Sequence, residues 1–464
     1  MPSTSSPERP SDEATLAVIL AAGEGSRLIP HQAGPPKPAL PLLGLSLAER
    51  TVLVCLKAGI QRFLFVVGHR EEEVRAHIAE MAARRGCVVD FVTAPDWQLG
   101  NGASALAAAA KVTDGSFLLL MVDHMVDPSV IQAVRQTRLG PGEICLAVDR
   151  DKEQVFDLDD VTKVTLRNGR VAQLGKSLER WDAADMGVFR CTAALFEGLR
   201  AAAAAGRHSL TDGVNQLAAG GGVIAVDMTG QAWLDIDTSQ AYREATRRLR
   251  YSLAKGREDG YISTYLNRPI STRLSVWLAT TPITPNQITL ISFLVSLIGA
   301  AFLALGNFVA MVLGALLVQL ASIVDGCDGE VARLKHLASA RGAWLDTILD
   351  RYSDMAVTLA VTSACAGQQA GLSGWIWAGG FVAGTGFLLT SYATKEFTLR
   401  HGHPYPDHFL VRLKKRDLRL FVICTGALCG HAFAALLAMG ALSHACVFGI
   451  LAMGWRISGK SAYE

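Results

Sequence analysis

The sequence predicts two unlike parts joined end to end: an α/β domain with a parallel sheet, then an all-α domain of six transmembrane helices. Three observations carry this expectation. Up to about residue 250, short β-rich runs alternate with Ala-rich helical stretches and Gly-containing turns, the pattern of a sheet with crossover helices. From about residue 275, long apolar runs with few charges dominate, most of them near the ~20 residues that cross ~30 Å of hydrocarbon. Basic residues gather in alternate connections between those runs, as the positive-inside rule requires of a six-span chain with a cytosolic N-terminus. The expected organisation is a disordered leader at 1–14, an α/β domain at 15–245, a linker and interfacial helix at 246–284, and a membrane domain at 285–464.

Bulk properties narrow the function classes. A net charge of +2 argues against nucleic acid as a partner. The nine cysteines are scattered without a CxxC pair, which fits small buried residues in a reducing compartment better than a disulfide framework. The leader MPSTSSPERPSDEA has no basic region followed by an apolar core, so no signal peptide is visible and the first domain is expected in the cytosol.

Thr15–Ala22 reads as a buried strand and runs directly into Gly23-Glu24-Gly25-Ser26-Arg27, followed by Pro36-Lys37-Pro38. A glycine turn after a strand lets backbone N–H groups approach a triphosphate, and Arg27 and Lys37 supply neutralising charge. On its own the turn is weak evidence, and the reading of Lys37 as a solvated surface lysine would be favoured. Phe63–Gly68 and Val88–Thr93 are further strands, and Gly100-Asn101-Gly102-Ala103-Ser104 is a second small-residue loop opening a helix. The strand Phe117–Val122 ends in Asp123, where open α/β sheets bind ligands and a carboxylate suits Mg²⁺ on phosphates. Asp235 and Asp237 alternate in an extended segment, on one face, and offer a second metal position.

These residues resemble the sugar-phosphate nucleotidyltransferases over about 230 residues. The resemblance implies a Rossmann-like nucleotidyltransferase domain. Gly23, Gly25, Ser26, Arg27 and Lys37 would hold the triphosphate, Gly100, Asn101, Gly102 and Ser104 the base, and Asp123 with Asp235 or Asp237 a Mg²⁺ (or Mn²⁺). Thr162-Lys163 and Asp185-Met186-Gly187 fall where substrate-side residues lie, and the second loop is similar to that of cytidylyltransferases, which use CTP.

Beyond this domain, Arg243, Arg247, Arg248, Arg250, Lys255 and Arg257 lie on a helical pattern. Ile262, Tyr265, Leu266, Ile270, Leu274, Trp277 and Leu278 then recur mostly at three- and four-residue spacing with Arg268 and Arg273 between them. That is the signature of a helix lying on a lipid bilayer, with a bend expected at Pro269. The apolar windows fall near 288–306, 308–324, 345–366, 373–393, 418–438 and 440–455.

At the cytosolic ends of the second and third windows stand Asp325, Asp328, Asp346 and Asp350. Carboxylates in this zone cost a few kcal/mol unless paired or facing a polar cavity. Spacings of three and four put each pair on one helix face, so two helices could present four acids to one or two cations. Ion pairs with Arg333, Arg341 and Arg351, or a proton relay in a transporter, are the competing readings. Glu330 reads as a solvated bystander.

The pattern D-x2-D-G-x2-A-R-x8-G-x3-D-x3-D, filled by Asp325, Asp328, Gly329, Ala332, Arg333, Gly342, Asp346 and Asp350, resembles the CDP-alcohol phosphotransferases. The resemblance implies that the aspartates bind metal holding a CDP-alcohol, that Asp350 is also the base, and that Asn286, Gly329, Arg333 and Gly342 contact the nucleotide. A basic loop from His401 to Arg419, or Arg333 and Arg341, would hold an acceptor phosphate. Together the halves resemble bifunctional inositol-1-phosphate cytidylyltransferase/phosphotransferase proteins, implying CTP and inositol 1-phosphate as substrates. They further imply a multi-pass inner-membrane location with both sites cytoplasmic, and a homodimer through the membrane domain. The 12 Lys against 32 Arg do not match a heat-adapted composition, which leaves a lipid hydroxyl open as the acceptor.

Overall fold

The computed structural model describes residues 13–28, 34–112, 115–254, 260–403, 405, 413 and 415–461. Most of the expected leader, residues 1–12, lies outside them, as do Lys255, Arg257, Arg412 and Lys414. The chain forms two compact units, Met1–Arg248 and Leu249–Glu464.

The first unit opens with β1 (Leu16–Leu20), a short pair β2 (Pro41–Leu42) and β3 (Leu45–Ser46), and α1 (Leu47–Lys57). It continues through β4 (Arg62–Val67), α2 (Glu71–Arg85), β5 (Val88–Thr93), α3 (Asn101–Ala107), β6 (Phe117–Met121), β7 (His124–Val126) and α4 (Pro128–Gln136). Then come β8 (Ile144–Asp149), β9 (Lys163–Arg167), β10 (Arg170–Gly175), β11 (Ala183–Cys191), α5 (Ala194–Ala204) and α6 (Leu210–Ala219). It closes with β12 (Val223–Asp227), β13 (Trp233–Asp235) and the first part of α7 (Ser239–Ala254), within which the unit boundary falls.

Nine strands make one sheet in the order β5-β4-β1-β6-β11-β8-β12-β10-β9. β5, β4, β1 and β6 are mutually parallel, whereas β11 runs antiparallel to both β6 and β8. The sheet is therefore mixed, and the parallel sheet expected from the sequence holds for its first four strands. Their apolar runs are continuous because helices cover both faces: Ala17, Val18 and Ile19 are fully buried, as are Phe65 and Val66. The valine, isoleucine and phenylalanine side chains among them stabilise by roughly 1.5–3 kcal/mol each on burial. β1 lies between β4 and β6, where chain direction around the sheet reverses, so the loops after β1 and β6 flank a crevice at the strands' carboxyl ends.

The second unit is helical. A π turn at Ser263–Asn267 leads into α8 (Arg268–Ala279). The extra residue of the π turn lies just before Pro269, which has no N–H to donate, so the chain passes the proline without leaving helical geometry. There follow α9 (Pro285–Ala304), α10 (Phe308–Leu334), α11 (Ala340–Gln368), α12 (Ser373–His401), α13 (Arg416–Leu428) and α14 (Ala432–Ser461).

α9, α10 and the Ala432–Ile457 part of α14 are long and apolar enough to cross a membrane. The fifth apolar window, 418–438, is not one helix. It breaks at Cys429–His431, where Gly430 adopts φ +76° and His431 N–H bonds back to Gly426 O at 2.6 Å, a Schellman stop. The 13 residues of α13 span roughly 20 Å. α9 and α10 approach closely because Gly299 faces Gly314: a Cβ on Gly314 would lie 2.7 Å from Leu303 N.

Candidate active sites

The crevice of the first unit is a cavity of about 400 Å³. The turn after β1 brings Gly23, Gly25, Ser26 and Arg27 to its wall, the loop before and in α3 brings Gly100, Asn101 and Ser104, and Asp123 enters from the end of β6. Gly25 has φ +69°, and a Cβ there would come within 2.9 Å of the Lys37 side chain, so a glycine both permits the turn and makes room for the lysine. Lys37 is nearly buried and its ammonium is held by Asp123 and Asp237. Burial opposes its charge, but the two carboxylates override this and raise its pKa. Arg27 donates to Asp160 at 2.7 Å and to Asp237 at 2.6 Å, and Lys176 donates to Asp160 at 2.5 Å.

Asp123, His124 and Asp235 hold donor atoms within 4.8 Å of one another. His124 Nδ1 lies 2.9 Å from Asp123 Oδ1 and 3.8 Å from Asp235 Oδ1. Burial disfavours the imidazolium, yet Asp235, Asp123 and Asp185 raise its pKa to about 10. Burial pushes Asp235 up to about 7, against the pull of His124 and with Asp123 and Asp237 adding to the rise. Asp235 Oδ1 is buried without a hydrogen-bond partner. With the His124 proton displaced on binding, two carboxylates, one with an orphaned oxygen, and an imidazole fit a divalent cation. Asp237, expected as a ligand, instead engages Lys37 and Arg27.

Two further expectations change. Lys163 is not among the cavity-lining residues. Thr162 is, and Lys176, just past the next strand, supplies the cation there. Gly102 is a packing residue: a Cβ there would lie 2.6 Å from His208 O and from Ser209 C. Asn101 Oδ1 accepts from Leu210 N at 2.8 Å, so the loop is fastened to the start of α6. Gly102→Ala is expected to lower the thermal unfolding temperature, and an unchanged melting midpoint would contradict this packing role.

The second site lies where α9, α10, α11 and α13 meet. Asp325, Asp328 and Asp346 hold carboxylate oxygens within 4.8 Å of one another, and Asp346 Oδ1 is buried without a hydrogen-bond partner. Hard oxygens from two helices with an orphaned acceptor again fit a divalent cation. Thr289 of α9 bonds Asp328 Oδ2 at 2.5 Å, and Ser292 lies 3.3 Å from Asp325 Oδ1. Asp350 faces Arg416 of α13 at 2.7 Å. The same guanidinium reaches Asp325 and Asp354 at 3.1 Å, and Asp354 also takes Arg419 at 2.9 Å. Asn286 and Gly342 adjoin, since a Cβ on Gly342 would lie 3.1 Å from Asn286 Oδ1. Arg333 Nη1 would lie 3.4 Å from a Cβ on Gly329.

Glu330 is not solvated. It is 0 % exposed and accepts from Arg268 at 2.5 Å and Ser271 at 2.7 Å, both on α8. Two residues beyond Asp328 on a helix is the opposite face, and that face is covered by α8. Removing one partner of a buried ion pair strands the other, at a cost of about 3–5 kcal/mol. Glu330→Ala is therefore expected to lower the thermal unfolding temperature in detergent markedly, and an unchanged midpoint would count against this contact.

Sequence reasoning missed His124, Asp160 and Lys176 in the first site, and Thr289, Ser292 and Asp354 in the second. Asp354 had a signal, because it continues the four-residue spacing of Asp346 and Asp350 by one more turn. Arg416 was placed only in a basic loop.

Comparison with known proteins agrees with this division. A MobA-like NTP transferase domain matches residues 17–228, and a CDP-alcohol phosphatidyltransferase domain matches residues 282–451. The Rubrobacter xylanophilus protein named "bifunctional IPC transferase and DIPP synthase" is 40% identical over 93% of this chain and 95% of its own length. Proteins of the same name from Aquifex aeolicus and Archaeoglobus fulgidus are 31% and 34% identical, over 96% and 88% of this chain and 99% and 77% of their own. With two domain matches in series and similarity running nearly end to end, the chain belongs to the family of bifunctional IPC transferase and DIPP synthase proteins.

Proposed function

We propose that the chain is an enzyme of two successive reactions. CTP and inositol 1-phosphate give CDP-inositol and pyrophosphate, and the inositol-phosphate group of CDP-inositol then passes to an alcohol, inositol 1-phosphate in the main reading, with release of CMP. The observation carrying this reading is that two separate carboxylate clusters, one beside a cationic cavity and one among apolar helices, occur in a chain collinear with its bifunctional relatives.

Residues 15–245 carry the first reaction. Gly23, Gly25 and Ser26 offer the triphosphate their backbone, and Arg27 and Lys37 neutralise it. Gly100, Asn101 and Ser104 border the base, and Lys176 with Arg27 receives the phosphate of the alcohol. Asp123, His124 and Asp235 would hold Mg²⁺ (or Mn²⁺), with Asp237 orienting the two cationic side chains.

Residues 285–464 carry the second. Asp325, Asp328 and Asp346 would hold the divalent ion and Asn286, Gly329, Arg333 and Gly342 the nucleotide. When bound, the ion screens the pyrophosphate from the carboxylates and stabilises charge on the departing CMP. Asp350 takes the proton of the attacking hydroxyl as that oxygen bonds to the inositol-bearing phosphorus and the bond to CMP breaks. Arg416 holds Asp350 in place.

Three described helices long and apolar enough to cross a membrane, exposed Tyr265 in the π turn with Ile270 and Trp277 on α8, and the basic connections support a multi-pass protein of the inner membrane, of six spans, with cytoplasmic sites. A homodimer through the membrane helices belongs to the same reading. The test supplies CDP-inositol to membranes carrying the full chain. With inositol 1-phosphate, mass spectrometry should find a product with two inositols, one phosphodiester and one phosphomonoester. If CMP appears only when a lipid hydroxyl is supplied, the acceptor is a lipid.

A further inference from the structure

We propose that Thr289 is a positioning residue for the second reaction, fixing the carboxylate of Asp328 in the orientation in which it, Asp325 and Asp346 share one divalent cation. The inference rests on the function proposed above only in taking that cation to hold the nucleotide substrate. Thr289 itself touches no reacting atom.

The close crossing at Gly299 and Gly314 lets α9 and α10 run side by side in opposite directions. Residues three apart on α9 then face residues three apart on α10: Thr289 opposite Asp328 and Ser292 opposite Asp325. Both residues are almost fully buried, at 3% and 4% exposed, which shields their hydroxyls from competition by water.

Each hydroxyl has one proton to give. Thr289 Oγ1 has two acceptors, Pro285 O at 3.1 Å and Asp328 Oδ2 at 2.5 Å. The shorter bond to a carboxylate is the stronger, so the proton goes to Asp328. For Ser292 the order is reversed, with Thr289 O at 2.8 Å and Asp325 Oδ1 at 3.3 Å. Thr289 is thus the effective donor of the pair.

Asp328 Oδ1 meanwhile accepts from Gly329 N. One donor on each oxygen fixes the carboxylate plane and leaves a lone pair of each oxygen for a metal. Asp346 Oδ1, in the same group of oxygens within 4.8 Å, has no hydrogen-bond partner among the described residues. Loss of the Thr289 hydroxyl would free Asp328 to turn about its side-chain bonds. Such outer partners of metal ligands typically alter metal affinity or activity 10–100-fold.

The test compares Thr289→Val, which keeps the shape and removes the donor, with Thr289→Ser, which keeps the donor. Manganese alone is titrated against the full chain in nanodiscs by electron paramagnetic resonance, with Asp123→Asn in the background to silence the first site. Thr289→Val is expected to weaken the remaining manganese site about 10–100-fold, and Thr289→Ser to stay within about threefold of the parent. With the first site intact, Thr289→Val should raise the Mg²⁺ concentration for half-maximal CMP release by a similar factor. It should leave pyrophosphate release unchanged.

Unaltered manganese binding in Thr289→Val would overturn the proposal. So would equal losses in the valine and serine variants, which would mark a packing role. If Thr289→Val does not fold, Thr289→Ala against Thr289→Ser gives the same contrast. Failure of the parent enzyme to release CMP from CDP-inositol would sink the functional reading, while the manganese titration would still decide the role of Thr289.

Discussion

Asp350→Asn is expected to lower CMP release from CDP-inositol by about 10²–10⁴-fold, the usual contribution of a general base, and to leave pyrophosphate release from CTP within about twofold of the parent. Asparagine preserves the shape but cannot take a proton from the attacking hydroxyl. Arg416 keeps two other carboxylate partners, Asp325 and Asp354, so the junction of α10, α11 and α13 survives the substitution. Chromatography of nucleotides after incubation of the purified full chain reads CMP, and a coupled phosphate assay with pyrophosphatase reads pyrophosphate. Equal loss of both activities would show that the two sites do not divide the chemistry in this way.

The second large effect is in the other site. Lys37→Met removes the ammonium that Asp123 and Asp237 share and takes away the charge nearest the proposed triphosphate position. Removal of one preorganised stabilising group commonly costs 10²–10³-fold, so pyrophosphate release should fall at least that far. CMP release from supplied CDP-inositol should stay at the parent value. Lys37→Arg is not expected to restore the first reaction, because a planar guanidinium does not reproduce the point donor that Asp123 and Asp237 share. Full activity in Lys37→Arg would mean that only net charge matters there.

Much of both sites was legible because the chemistry demands residues that polypeptide packing does not. Glycines after a buried strand, a carboxylate at a strand end, and four aspartates at helical spacing beside apolar runs are each costly without a ligand, and the structure brings them together. What was not legible depended on partners distant in sequence. Glu330 looks solvated until α8 is seen to cover it. Thr289 and Ser292 are ordinary hydroxyl residues in an apolar helix until α9 is laid beside α10.

Lys163 and Lys176 sit on neighbouring strands, β9 and just past β10, and only the register decides which one enters the cavity. The break at Gly430 was hidden because apolar residues continue on both sides of it, so hydropathy carries no mark of the turn. The antiparallel half of the first sheet was hidden for a related reason: strand direction leaves no trace in a short buried run.

One chain is expected both to make a CDP-alcohol and to consume it. The most direct test gives the full chain in nanodiscs CTP, Mg²⁺ and isotopically labelled inositol 1-phosphate, and follows all products in time by mass spectrometry. CDP-inositol and pyrophosphate are expected first, then a fall in CDP-inositol matched by CMP and a product carrying two labelled inositols. Pyrophosphate release without CDP-inositol, or CDP-inositol that accumulates with no CMP whatever acceptor is supplied, would rule out this sequence of reactions.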